Sequence, residues 1–114
     1  MYIGGLSLGG FGTFDMIQRY PSFFAAAIPI CGGGDVNVAD RFADKVSVWL
    51  FHGDEDKSVD VSNSRNYFAV LKKLGADTRY TEYPGVAHNS WDNAFKEREL
   101  LTWMLSKSRK NNKK

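Results

Sequence analysis

The sequence predicts an α/β domain in which a parallel sheet is joined by crossover helices. Strand-like runs alternate with segments of helical apolar spacing four times along the chain. Two of the runs, 23–31 and 46–51, are apolar almost throughout, as expected of strands covered on both faces. A Gly-x-Ser-x-Gly turn joins the first strand to the first helix.

The elements follow in order. Tyr2 to Leu6 is a short strand, and Phe11 to Tyr20 a helix stopped by Pro21. Phe23 to Cys31 reads as a buried strand bounded by glycines, although Pro29 removes one donor from it. Gly32 to Asp35 is a loop, and Asn37 to Ala43 a short helix or helical turn. Val46 to Phe51 is a strand and His52 to Asp60 a loop. Val61 to Leu74 is a helix closed by Gly75, with Tyr67, Phe68, Val70, Leu71 and Leu74 at helical spacing and Asp60 placed to cap it. Thr78 to Tyr83 is a strand and Pro84 to Asn89 a loop. A final helix runs from Ser90 to about Lys107.

The chain of 114 residues suits one domain. Apolar content of 43% is that of a packed core rather than of disorder. Net charge is +2, but residues 107–114 hold five cations and no anion, leaving about −3 for the rest. The expected organisation is a domain over 1–106 and a basic flexible tail over 107–114. The balance points to no nucleic-acid partner, and no apolar run approaches the roughly 20 residues of a membrane span. A single cysteine, Cys31, excludes an internal disulfide.

The turn Gly5-Leu6-Ser7-Leu8-Gly9 carries the clearest chemistry. A sharp strand-to-helix turn lifts a serine oxygen off the sheet edge, and side chains two residues away on either side would crowd it. The following helix aims main-chain N–H groups at negative charge developing beside Ser7. In a parallel sheet, reactive groups gather beyond the carboxyl ends of the strands. Those ends are Ser7, the Gly32–Asp35 loop, the His52–Asp60 loop and the Pro84–Asn89 loop. A nucleophilic serine needs a base, and the base needs an orienting carboxylate. With the chain order Ser, acid, His that accompanies this turn, His88 is the base, because His52 precedes the acids. The acid comes from Asp54, Glu55, Asp56 or Asp60, and position leaves Asp54 and Asp56 equivalent. His52-Gly53 shapes the turn, the imidazole capping loop backbone and the glycine permitting the bend. Gly32-Gly33-Gly34 lacks both the Gly-Lys-Ser/Thr ending of a P-loop and the Gly-x-Gly-x-x-Gly spacing, which argues against a nucleotide site.

Four stretches then carry a resemblance. They are Gly5–Thr13, Phe24–Asp35, Val48–Val59 and Tyr83–Trp91, in order and across nearly the whole chain. The chain resembles the C-terminal half of an α/β-hydrolase serine esterase. It is similar to the predicted peptidases, carboxylesterases and feruloyl-type esterases related to the prolyl oligopeptidase and dienelactone hydrolase branches. The resemblance implies a Ser7–Asp56–His88 triad, because the family segment His-Gly-x-x-Asp-x-x-Val puts the acid on Asp56. It implies the Leu8 N–H as one oxyanion donor and ester cleavage through an acyl-enzyme, with no cofactor and no metal. Trp91 and Trp49 are candidates to line the pocket for a small-molecule ester. Complete members carry earlier strands that supply the second oxyanion donor and cover the first strand seen here. A bare Tyr2–Leu6 edge would then await a missing N-terminal half or a second copy. Two alternatives follow: an inactive or self-assembling hydrolase fragment, and a serine peptidase of the prolyl oligopeptidase type.

Overall fold

The alternating runs fold as four parallel strands lying side by side in chain order: β1 (Tyr2–Leu6), β2 (Ala26–Ile30), β3 (Ser47–Gly53) and β4 (Thr78–Tyr83). The computed structural model describes residues 2–107, with Phe95 described by its backbone alone. Helix α1 (Leu8–Arg19) joins β1 to β2, a 3₁₀ helix (Val36–Arg41) joins β2 to β3, and α2 (Ser62–Lys73) joins β3 to β4. Helices α3 (Ser90–Phe95) and α4 (Leu100–Ser106) follow. This is the predicted parallel sheet with crossover helices.

Strand alternation divides the core into two layers. Ala27, Val48 and Leu50 face Phe14 and Ile17 of α1 and Tyr67 and Leu71 of α2. Ala26, Ile28, Ile30, Trp49 and Phe51 face Ala94 of α3 and Trp103 of α4. In the first layer Phe14 stacks on Tyr67 at 4.0 Å between ring centres. Each fully buried large apolar side chain contributes about 1.5–3 kcal/mol.

Several boundaries differ from expectation. The strand over 23–31 is confined to Ala26–Ile30, and its pairing with β3 includes Ala26, Ala27 and Ile30 but skips Ile28 and Pro29. Pro29 has no N–H to give a central ladder. Helix α2 begins at Ser62, one residue late, yet Asp60 still caps it: its carboxylate accepts the Ser62 N–H at 3.0 Å. The long final helix is two helices. Ala94 and Trp103 both enter the second layer. Nine residues of continuous helix would be two and a half turns and would set them on opposite faces. The break over 96–99 restores the phase, held by Tyr83 donating its hydroxyl to Glu97 at 2.6 Å. The expected tail starts inside the fold, because Lys107 pairs with Asp77 at 2.8 Å and lies over the Trp103 ring. Its remaining residues, 108–114, lie outside the described residues.

Register brings the strand ends level. Leu6 pairs with Ile30, Ile30 with Phe51, and His52 with Glu82. The residues that follow, Ser7 and Cys31, extend the ladder, with Ser7 N–H donated to Ile30 O at 2.9 Å and Cys31 N–H to Phe51 O at 2.7 Å. Ser7, Cys31 and His52 therefore stand beside one another on the carboxyl rim.

Candidate active site

Ser7 is held in the left-handed region at φ 53°, ψ −112°. For a non-glycine residue this conformation costs on the order of 1–3 kcal/mol. Its surroundings impose it: the N–H is tied to β2, and the carbonyl accepts from Gly10 and Phe11 in the first turn of α1. The crowding expected on both flanks is one-sided. A Cβ on Gly5 would strike the Gly9 main chain, whereas one on Gly9 would meet open space. Further along, Gly10 and Gly32 let α1 sit directly on the end of β2; a Cβ on Gly32 would come within 2.7 Å of the Gly10 backbone.

His88 arrives from the loop after β4. Its Nδ1 lies 2.6 Å from Asp56 Oδ2 and its Nε2 lies 2.8 Å from Ser7 Oγ. An ionised carboxylate only accepts, so Nδ1 carries a hydrogen, and in the neutral ring Nε2 then accepts the Ser7 hydroxyl hydrogen. Asp54, the other candidate acid, turns away and accepts the Gly85 N–H at 2.7 Å. The bonded acid is therefore Asp56, across 32 residues of chain from His88.

The Asp56 carboxylate is buried. Burial alone pushes its pKa up. Hydrogen bonds from His88, from the Val59 N–H at 2.8 Å and from the Ser58 N–H at 2.9 Å outweigh that and hold it below the usual value. His52 completes the setting. Its Nε2 donates to Val59 O at 2.7 Å and lies 3.3 Å from Asp56 Oδ2, while Nδ1 meets Ser64 Oγ at 2.7 Å. The expected loop-capping imidazole is thus in place. Gly53 has a different purpose from the expected bend: its φ is not positive, but a Cβ there would strike the Val86 carbonyl. Its bareness lets the loop carrying Asp56 close on the loop carrying His88.

Helix α1 starts at Leu8, so the Leu8 N–H has no intrahelical acceptor and points from a helix N-terminus beside Ser7. Trp91 stands edge-on to the His88 ring at 5.6 Å. Trp49 does not join them. It is buried beneath α3 and α4, stacked on Phe51, edge-on to Trp103 and donating its indole N–H to Thr81 at 2.8 Å. The expectation that it lines a pocket does not hold, because strand alternation turns it into the core.

A family profile described as phospholipase/carboxylesterase matches residues 1–100. The chain belongs to this family. Its fold is that of the α/β hydrolases. A thermostable esterase of known structure superposes with a TM-score of 0.91 at 42% identity, over 95% of this chain and 31% of that one. Esterase PE8 superposes with a TM-score of 0.75 at 27% identity, over 90% of this chain and 49% of the other. An acylaminoacyl peptidase of Pyrococcus horikoshii, at 18% identity and TM-score 0.79, shares the fold. An uncharacterized secreted protein of Arthroderma benhamiae is 28% identical over 75% of this chain and 12% of its own length. The chain thus spans less than two thirds of each of these relatives.

Cys31 joins the rim without a motif in the sequence to mark it. It is buried, sits at φ 46°, and donates its thiol to the His88 carbonyl at 3.7 Å. Burial pushes its thiol pKa up. The available signal was its place directly after the second strand, level with Ser7.

Proposed function

We propose that this phospholipase/carboxylesterase family chain carries the reacting groups of a serine hydrolase that cleaves carboxylic esters through an acyl-enzyme. The observation behind the reading is the continuous chain Ser7 Oγ–His88 Nε2, 2.8 Å, and His88 Nδ1–Asp56 Oδ2, 2.6 Å. Ser7 attacks the ester carbonyl while its proton passes to His88 Nε2. Asp56, ionised and bound through Nδ1–H, stabilises the imidazolium that forms. The Leu8 N–H faces the developing oxyanion. Collapse returns the proton to the departing alcohol and leaves Ser7 acylated. Water then attacks, giving its proton to His88, and the acid leaves as Ser7 recovers its hydrogen. Trp91, against His88, borders the position of the acyl or alcohol group.

The test is hydrolysis of a short p-nitrophenyl ester by the wild-type chain and by Ser7→Ala, with fluorophosphonate labelling alongside. Wild-type turnover and labelling, both absent in Ser7→Ala, are expected. Equal rates in the two proteins would reject the assignment.

A second reading has its own support. β1 is an outer strand, and beside it an open cavity of about 640 Å³ is lined by Tyr2, Ile3, Ile28, Leu100, Leu101 and Met104. Leu101 is 60% exposed and Leu6 36%. An uncovered apolar face next to a free strand edge supports a chain completed by further sequence or by a second copy. In that case a second oxyanion donor comes from the added segment, and the isolated chain is labelled by the probe but turns over about 10²–10³ more slowly.

A further inference from the structure

The end of β2 meets both partners of the reacting hydrogen bond. Ile30 O accepts the Ser7 N–H at 2.9 Å, and the next residue, Cys31, donates its thiol to the His88 carbonyl at 3.7 Å. Its Sγ also lies within 4.8 Å of a His88 ring nitrogen and of an Asp56 carboxylate oxygen. The first part of the His88 loop is tied elsewhere. The Gly85 N–H reaches Asp54 at 2.7 Å, and the Val86 carbonyl accepts from Glu55 at 3.0 Å. Past Val86, no N–H among the described residues donates to the His88 carbonyl, so the thiol ties that stretch of main chain to the sheet.

This side chain is kept at a conformational cost. Among the described non-glycine residues, positive φ occurs at Ser7 and Cys31 alone, at 53° and 46°. Glycine enters this region freely, and three glycines follow at once. A cysteine held there calls for a use of its side chain. A disulfide is not that use, since Cys31 is the single cysteine and is buried. Burial pushes the thiol pKa up, so the sulfur keeps the proton that it donates. The Ser7 main chain and the Ser90 hydroxyl bear on the same sulfur, which places it between the nucleophile and the start of α3.

We propose that Cys31 is a positioning residue: it holds the His88 main chain against the strand end that also holds Ser7, so that residues 30 and 31 together set the 2.8 Å between Ser7 Oγ and His88 Nε2. The Asp56 bond alone leaves the ring a hinge. Nδ1 can stay on Asp56 while Nε2 swings away from Ser7. The thiol removes that freedom from the main-chain side. A thiol is a weak donor, so its effect falls on where the loop rests more than on how stable the chain is. A displacement of about 1 Å in reacting groups can cost about 10²-fold in rate. The consequence for catalysis rests on the hydrolase reading; the anchoring of His88 does not.

Cys31→Ala removes the donor, and Cys31→Ser puts a hydroxyl in its place. Ester hydrolysis by the full chain is followed well below the urea midpoint of each variant. In Cys31→Ala, kcat at least about tenfold lower is expected with KM unchanged, because the buried thiol touches no substrate. Cys31→Ser should recover part of kcat. Should Cys31→Ala not fold, Cys31→Gly takes its place, since glycine accepts φ 46° and brings no donor. A second readout needs no turnover. The low-field proton resonance that disappears in His88→Gln is the Nδ1 hydrogen held by Asp56, and in Cys31→Ala it should exchange with water at least about tenfold faster. No such resonance in the wild type, or equal exchange in Cys31→Ala, overturns the proposal. In an active chain, so does unchanged kcat in Cys31→Ala, and Cys31→Ser as slow as Cys31→Ala would assign the effect to packing and overturn it too. A wild type without turnover whose resonance loosens in Cys31→Ala removes only the hydrolase reading. An active wild type whose Cys31→Ala keeps both rate and exchange removes only the anchor.

Discussion

His52 Nε2 lies 3.3 Å from Asp56 Oδ2, the carboxylate oxygen that His88 Nδ1 holds at 2.6 Å. Val59 O only accepts, so His52 Nε2 carries the hydrogen of their 2.7 Å bond, and in the neutral ring the Ser64 hydroxyl donates to Nδ1. One imidazole thus ties the start of α2 to the loop that presents the acid.

Replacing that imidazole separates loop support from the reacting chain. His52→Leu leaves the Val59 carbonyl and the buried Ser64 hydroxyl without partners, at about 1–3 kcal/mol each. His52→Gln returns one donor where Nε2 stood. A lower urea midpoint and slower ester hydrolysis are expected for Leu, with Gln recovering part of both. If Leu matches wild type in midpoint and rate, His52 does not support Asp56.

Gly53→Ala tests the closeness of the two loops. The added Cβ meets the Val86 carbonyl, so the loop carrying His88 must retreat. A misplacement of about 1 Å in reacting groups can cost about 10²-fold in rate. Fluorophosphonate labelling of Ser7 at least about tenfold slower is the expected outcome, and wild-type labelling would contradict it.

Much of this arrangement is legible in the amino acids. Ser7 and His88 follow from a five-residue turn and from chain order, because strand ends in a parallel sheet must share a rim. Asp56 against Asp54 does not follow from spacing. Both lie in the loop after β3, and only the N–H groups of Ser58 and Val59 turn one of them inward. Trp49 misleads because a tryptophan within a strand serves a core as well as a pocket. The broken final helix was present in the sequence as a phase error between Ala94 and Trp103. No glycine or proline marks it, since the contacts of Glu97 and Glu99 with β4 side chains hold it instead.

A pH-dependent contribution to stability sits away from the rim. Arg65 donates two hydrogen bonds of 2.7 Å to Glu82, and Tyr80 donates its hydroxyl at 2.6 Å. The Arg65 bonds lead in pulling the Glu82 pKa down to about 2. A depressed carboxylate stabilises the fold above its unfolded pKa of about 4.3 and loses that contribution as pH falls toward 2. Arg65 is 54% exposed, so solvent screening keeps the contribution of the pair small. Glu82→Gln should therefore melt a few degrees below wild type at pH 7, with the gap closing by pH 2–3. A gap that persists in acid would assign the effect to packing.

Asp56→Asn isolates the tautomer of His88. The Oδ1 side of Asp56 receives two main-chain N–H groups, from Ser58 and Val59. An asparagine must therefore keep its carbonyl oxygen there, since its NH₂ would face two donors. The NH₂ is left pointing at His88 Nδ1, which can then only accept. The ring hydrogen shifts to Nε2, and Ser7 faces a donor where it needs an acceptor. The loop hydrogen bonds survive, so circular dichroism should be unchanged. A triad deprived of the correct tautomer loses about 10⁴ in kcat. A folded Asp56→Asn chain that keeps its rate within about tenfold would show that Asp56 does not set the base. The same substitution in a protein that has lost its fold would instead give loss of the near-ultraviolet signal of the Trp49–Trp103 layer, and the two outcomes are read from one sample.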